Sequence, residues 1–170
     1  MRTAHLQRPA VSGWRIAPLL LAFAFSIAYP PAMATEAYDA ALTLITQRNI
    51  GSNMTTLAEA VSRKTVTYSA IENSLGTDRA KAVVSAELKR LRPKYQPKWD
   101  QNLAQIYAER FTADELHSLS TLGKASPSVP KLASMQNEIG RAMQARSSDL
   151  LKRYVSEALS AALAQIPPKP

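Results

Sequence analysis

Three carboxylates and one imidazole stand close together in this chain, at Glu109, Asp114, Glu115 and His117, and they have the most direct claim to chemistry. Two carboxyls facing each other across a cleft, roughly 5–10 Å apart, can cleave a glycosidic bond. A cell-wall glycan would be the matching substrate, and a carboxylate-dependent hydrolase is the enzymatic alternative. The local pattern favours a structural role. Thr112 and Glu115 have the Thr-x-x-Glu spacing of a capping box, in which each side chain satisfies the other's backbone N–H. Asp114 and Glu115 also place negative charge at the positive end of a helix dipole. His117 is two residues from Glu115, so on a helix the pair points to different faces and the imidazole lacks an orienting partner.

Other chemistries fail on inventory. The chain has no Cys, which excludes disulfides, thiol catalysis and Cys-ligated metals. Its two His, His5 and His117, cannot build a multi-His metal site. The five Gly are isolated, so no phosphate-cradling loop forms, and no Gly-x-Ser-x-Gly elbow is present. We therefore expect no catalytic constellation, no metal site and no cofactor, with Thr112 and Glu115 as a structural cap.

The elements that must position these residues all read as helices. Residues 36–50 space Tyr38, Leu42 and Ile45 by four and three, with Gly51 as the stop. Residues 55–75 put Leu57, Val61, Tyr68, Ile71 and Leu75 on one stripe, ended by Gly76. Thr65-Val66-Thr67-Tyr68 favours a strand by propensity, but the longer periodicity predicts helix. Thr77 is expected to cap a third helix reaching about Arg92, and Pro93 and Pro97 to bracket a linker. A fourth helix then runs from Pro97 to near Phe111, with Trp99, Leu103, Ile106 and Tyr107 inward. A short fifth carries Leu116, Leu119 and Leu122. Residues 123–130 form the longest break, and the last helix runs from near Pro130 to Pro167-Pro168, with a bend or restart at Ser147-Ser148-Asp149. The fold class is all-α: a single antiparallel bundle of about five to seven helices.

Tyr107, then Phe111-Thr112-x-x-Glu115-Leu116, then Ser126-Pro127 and Lys131 resembles the bacterial domain of unknown function family 2059. That family's pattern continues Phe-Tyr-x-Ser-Pro-x-Gly-x-Lys. Here Leu122-Gly123 stands for Phe-Tyr, the Ser-Pro sits one residue late, and Val129 occupies the Gly position. The likeness covers about residues 95–145. It implies an exported, all-helical protein and lends no reaction.

The beginning of the chain supplies an address. Arg2, Arg8 and Arg15 precede a 13-residue apolar run at 16–28, then Pro30-Pro31 and the small-x-small site Ala32-Met33-Ala34. This is the order of a secretory signal peptide, and the run falls short of the roughly 20 residues of a membrane span. Residues 1–34 are read as the signal, cleaved after Ala34, and residues 35–170 as one helical domain in the periplasm. Of 170 residues, removing 34 leaves 136; of 21 Lys and Arg, three go with the signal, leaving 18 against 13 acids, a charge of +5. That mild excess suits an anionic envelope surface or an acidic partner. No transmembrane span is expected after cleavage.

The densest charge is Lys89, Arg90, Arg92, Lys94 and Lys98, five bases in ten residues without an acid, interleaved with Tyr95 and Trp99. It could bind an acidic polymer, a lipid head group or an envelope protein. Nucleic acid fits the charge but not the address. The plainer meaning is a helix C-terminus complementing its dipole, with both aromatics in the core. The reading is a non-enzymatic binding or envelope accessory module with this edge as contact surface. A carrier of an apolar ligand, which needs an unfilled cavity between helices, is a further alternative. The long last helix also admits a homodimer.

Overall fold

The computed structural model describes residues 31–166. The apolar run at 16–28 and the Pro167-Pro168 stop lie outside them. The described elements are α1 (Pro31–Gln47), α2 (Met54–Ser62), α3 (Val66–Leu75), α4 (Thr77–Ala108), α5 (Ala113–Leu122) and α6 (Val129–Leu163). Short 3-10 turns lie at Ile50–Asn53 and Gly123–Ala125. No strand occurs among the described residues, and the architecture is the expected all-α bundle.

Two long helices organise it. α4 has 32 residues and α6 has 35, each about 50 Å long at 1.5 Å per residue. Their cross-links run in opposite order: Glu87 with Gln165, Tyr95 with Glu157, Asn102 with Ser147, Arg110 with Glu138. The pair is therefore an antiparallel hairpin, closed by α5 in the connection. α1 packs against α4 and α5, while α2 and α3 pack against α4 and α6. Tyr154 of α6 is fully buried, its hydroxyl donating to the Leu88 carbonyl and its ring 4.9 Å from that of Tyr95.

Several boundaries differ from expectation, each for a local reason. The linker at Pro93 and Pro97 does not exist: both prolines lie inside α4. An interior proline costs a helix about 3 kcal/mol, because it removes an N–H and crowds the carbonyl four residues back. Here Lys89, Pro93 and Pro97 share one exposed face, so the carbonyls that lose their partners face water. The opposite face, with Leu88, Leu91, Tyr95, Trp99 and Leu103 buried, holds the helix together.

The helix expected over 55–75 is two helices. Thr65 takes an extended conformation (φ −101°, ψ 150°) and its hydroxyl accepts the Tyr68 N–H at 3.1 Å, starting α3. The strand propensity of Thr65-Val66-Thr67 thus appears as a helix start. The break changes which face of α2 is buried. Met54, Ala58 and Ser62 face inward, while Leu57 and Val61, expected in the core, are 40% and 36% exposed. Thr77 is not a cap: Gly76, at φ 80°, occupies that position and also closes α3. α1 ends at Gln47 rather than at Gly51. Gly51 is instead buried in the 3-10 turn, where a Cβ would run into the Asp100 carboxylate. α6 passes Ser147 unbroken, because that hydroxyl accepts from Asn102 and donates to the Met143 sulfur instead of competing with the local backbone.

Candidate functional site

The corner between α4 and α6 gathers the residues of the Phe-Thr-x-x-Glu-Leu likeness. The capping box is complete: the Glu115 N–H donates to Thr112 Oγ1 at 3.3 Å and the Thr112 N–H to Glu115 Oε2 at 2.9 Å. Lys131, from the first turn of α6, donates to both Glu115 oxygens at 2.9 and 2.7 Å and lies 4.8 Å from the centre of the Phe111 ring. Burial alone would push the Glu115 carboxyl up, but the bonds from Lys131 and Thr112 outweigh it and hold the group below its ordinary value. Ser126 accepts the Ser128 N–H at 3.1 Å and bonds the Ser118 hydroxyl at 2.8 Å, shaping the turn into α6.

A cleft of about 450 Å³ opens beside this corner, lined in part by Glu36, Glu109, Arg110, Phe111, Thr112 and Lys131. Of the three carboxylates considered for hydrolysis only Glu109 lines it. Both Glu109 oxygens are taken, by Arg110 at 3.2 Å and Arg146 at 2.8 Å. Glu115 is fixed as an anion by the cap and Lys131, and Asp114 is exposed outside the cleft. His117 is exposed on α5 and lines no described cavity. The structure does not bring these groups together as an acid–base pair. Glu36, which the sequence pattern does not single out, is the other carboxylate in the cleft.

The basic edge lies exposed along α4, but its charge is partly neutralised within the fold. Arg90 pairs with Glu87 at 2.7 Å and Lys94 with Glu157 at 2.7 Å, while Arg92 donates to Gln96 at 3.2 Å. Lys89 and Lys98 make no ion pair among the described residues. Tyr95 and Trp99 belong to the core. Burial and the hydrogen bond to Glu157 push the Tyr95 hydroxyl up to about 12, and Lys94 and then Tyr95 hold the Glu157 carboxyl below its ordinary value.

The larger concavity is elsewhere: an open groove of about 670 Å³ between α2 and α6, with α4 as its floor. Leu57 and Val61 form the α2 wall, Trp99, Leu103 and Tyr107 the floor, and Ile139, Met143 and Leu151 the apolar part of the α6 wall. The exposure of Leu57 and Val61, one helical turn apart, comes from the break that ends α2 at Ser62. Trp99 is 4% exposed, and its indole N–H is the only buried side-chain polar group among the described residues without a hydrogen-bond partner. Such a group costs on the order of 1–3 kcal/mol; the nitrogen is itself buried, while the Trp99 side chain lines the groove.

Among the described residues no group of three acidic or imidazole side chains could hold a metal ion, and no helix is long and apolar enough to cross a membrane. Comparison with protein-family models, with curated proteins and with solved structures gives no match.

Proposed function

We propose that this protein is a non-enzymatic binding module of the bacterial envelope, exported to the periplasm, and that the groove between α2 and α6 is its contact surface. The observation that carries this reading is the groove itself: about 670 Å³ of largely apolar concavity, with Leu57 and Val61 exposed on one wall. Its size falls in the roughly 300–1,000 Å³ range of binding sites, and a few polar groups among apolar ones is their usual composition. The periplasmic address rests on the basic, apolar and small-residue order of residues 1–34. The resemblance to family 2059 agrees with an exported helical accessory protein, and its best-matched residues serve here to lock α5 to α6. The hydrolase alternative has less support, because Glu109 and Glu115 are already committed to cations. The basic edge offers a second, weaker surface for an anionic envelope component through Lys89 and Lys98.

The test is binding of an environment-sensitive anilinonaphthalene dye to the full chain and to its Leu57→Glu/Val61→Glu variant. Both side chains are already exposed, so the variant should keep its helical circular dichroism. The expected result is loss of most of the dye fluorescence. Undiminished fluorescence in the variant places the apolar site elsewhere and overturns the reading.

A further inference from the structure

The groove has a shape and a sign that narrow its occupant, and the identity of that occupant rests on the groove being the binding surface. Its α6 wall follows one continuous stripe. Gln136, Ile139, Gly140, Met143, Ser147 and Leu151 recur at spacings of one, three and four up to Lys152. Over those 16 steps the wall is about 24 Å long. Ile139, Met143 and Ser147 of that stripe are already buried within the bundle, while Gln136, Gly140 and Lys152 are exposed and Leu151 is half-buried. Leu57 and Val61 stand opposite, exposed, and α4 lies beneath.

Gly140 is the second observation. It sits in the middle of a 35-residue helix, where glycine disfavours the helix relative to alanine. Among the described residues nothing beyond its own helical turn comes within 4 Å of the position a Cβ would take, so no packing among them accounts for it. It lines the groove. A glycine at a seam lets a second backbone approach closely, so an incoming helix supplies the reason that the chain itself does not.

Charge selects among possible helices. The groove lining contains one charged side chain, Lys152, and no acid. Arg141 follows Gly140, and Lys64 lies just beyond Val61; both are exposed and make no ion pair among the described residues. Lys152 contacts Asp149 at 3.1 Å, but both side chains are more than 70% exposed, so that pair exchanges readily. A second copy of the mature chain, with a net charge of +5, would bring further positive charge.

We infer that the groove receives an amphipathic helix from a different protein, about 16 residues long, apolar on the buried face and acidic along its flanks. Lys152 in the lining, with Arg141 and Lys64 beside lining residues in the chain, would set orientation and association rate, and the apolar surface would hold the bound state.

The experiment uses the full chain and two fluorescein-labelled synthetic helices with the same Leu/Ala face, one flanked by Glu and the other by Lys. Fluorescence anisotropy should show the Glu-flanked helix binding at least about tenfold more tightly, with the gap narrowing as salt is raised. Gly140→Leu should weaken that binding at least about tenfold without lowering the thermal midpoint. Arg141→Glu with Lys152→Glu should reverse the preference between the helices. Equal binding of both helices overturns the inference. So does failure of both while the dye still reports the groove, and that result leaves the groove reading standing. Displacement of the dye by a single-chain fatty acid but by neither helix assigns the site to a small apolar ligand. A dimer in sedimentation that Gly140→Leu dissolves assigns it to a second copy. Dye fluorescence left undiminished by Leu57→Glu/Val61→Glu removes both readings together.

Discussion

Glu115 and Lys131 join α5 to α6, and their pair can be separated from the cap that surrounds it. Glu115→Gln keeps an acceptor for the Thr112 N–H, since Gln also completes a capping box, but it removes the charge. Lys131→Met keeps an apolar stem beside Phe111 and removes the ammonium group. Glu115 is 28% and Lys131 40% exposed, so the pair contributes on the order of 0.5–1 kcal/mol. The helix dipole adds about 0.3–1 kcal/mol to the Glu115 charge. Glu115→Gln should therefore cost about 1–1.5 kcal/mol and Lys131→Met about 0.5–1 kcal/mol. The double variant should be barely worse than Glu115→Gln, because the first substitution has already removed the interaction. The folded-state pKa of Glu115 is lowered, so its contribution is fully present above the unfolded value and is lost as pH falls through the folded one. Urea unfolding followed by far-UV circular dichroism should show the Lys131→Met deficit at pH ~7 and its disappearance toward pH ~3. Strictly additive costs, or a deficit that persists in acid, would refute this account of the corner.

Two further substitutions test the long helices. Gly140→Ala places a methyl group in open space and removes an unfavourable helix residue, so stability should rise by about 1 kcal/mol and Tm by about 2–4 °C. A calorimetric scan showing destabilisation would mean that Gly140 is packed within the chain after all. Pro93→Ala restores an N–H to the Lys89 carbonyl on an exposed face. The gain of about 3 kcal/mol in helix propensity, less about 1 kcal/mol of added unfolded-state entropy, should raise stability by about 2 kcal/mol. A loss in urea titration would show that α4 needs its proline geometry to lie along α6.

The course of α4 was written in the sequence in two conflicting signals. Val84, Leu88, Leu91, Tyr95, Trp99, Leu103 and Ile106 recur at three and four without interruption, and all are buried. Pro93 and Pro97 read locally as a break. The periodic signal prevails because the prolines lie four apart on the solvent face, where unpaired carbonyls are hydrated and the rings meet no neighbour helix. The Thr112–Glu115 box was legible for the opposite reason: both partners lie within four residues, so no distant packing decides the outcome.

The groove depends on a phase that the sequence pattern conceals. On a continuous helix over 55–75, Leu57 and Val61 share the stripe of Tyr68 and Ile71 and belong to the core. The Thr65 cap separates the two halves, and each then turns independently toward its neighbours. α2 presents Met54, Ala58 and Ser62 inward, two of them small enough for close approach to the long hairpin. The larger Leu57 and Val61 are left at the surface opposite Met143 and Leu151. A single turn at Arg63–Lys64 thus converts core residues into the wall of an open seam. Gly140, which reads in sequence as an isolated helix-weakening residue, acquires a meaning only once that seam lies beside it.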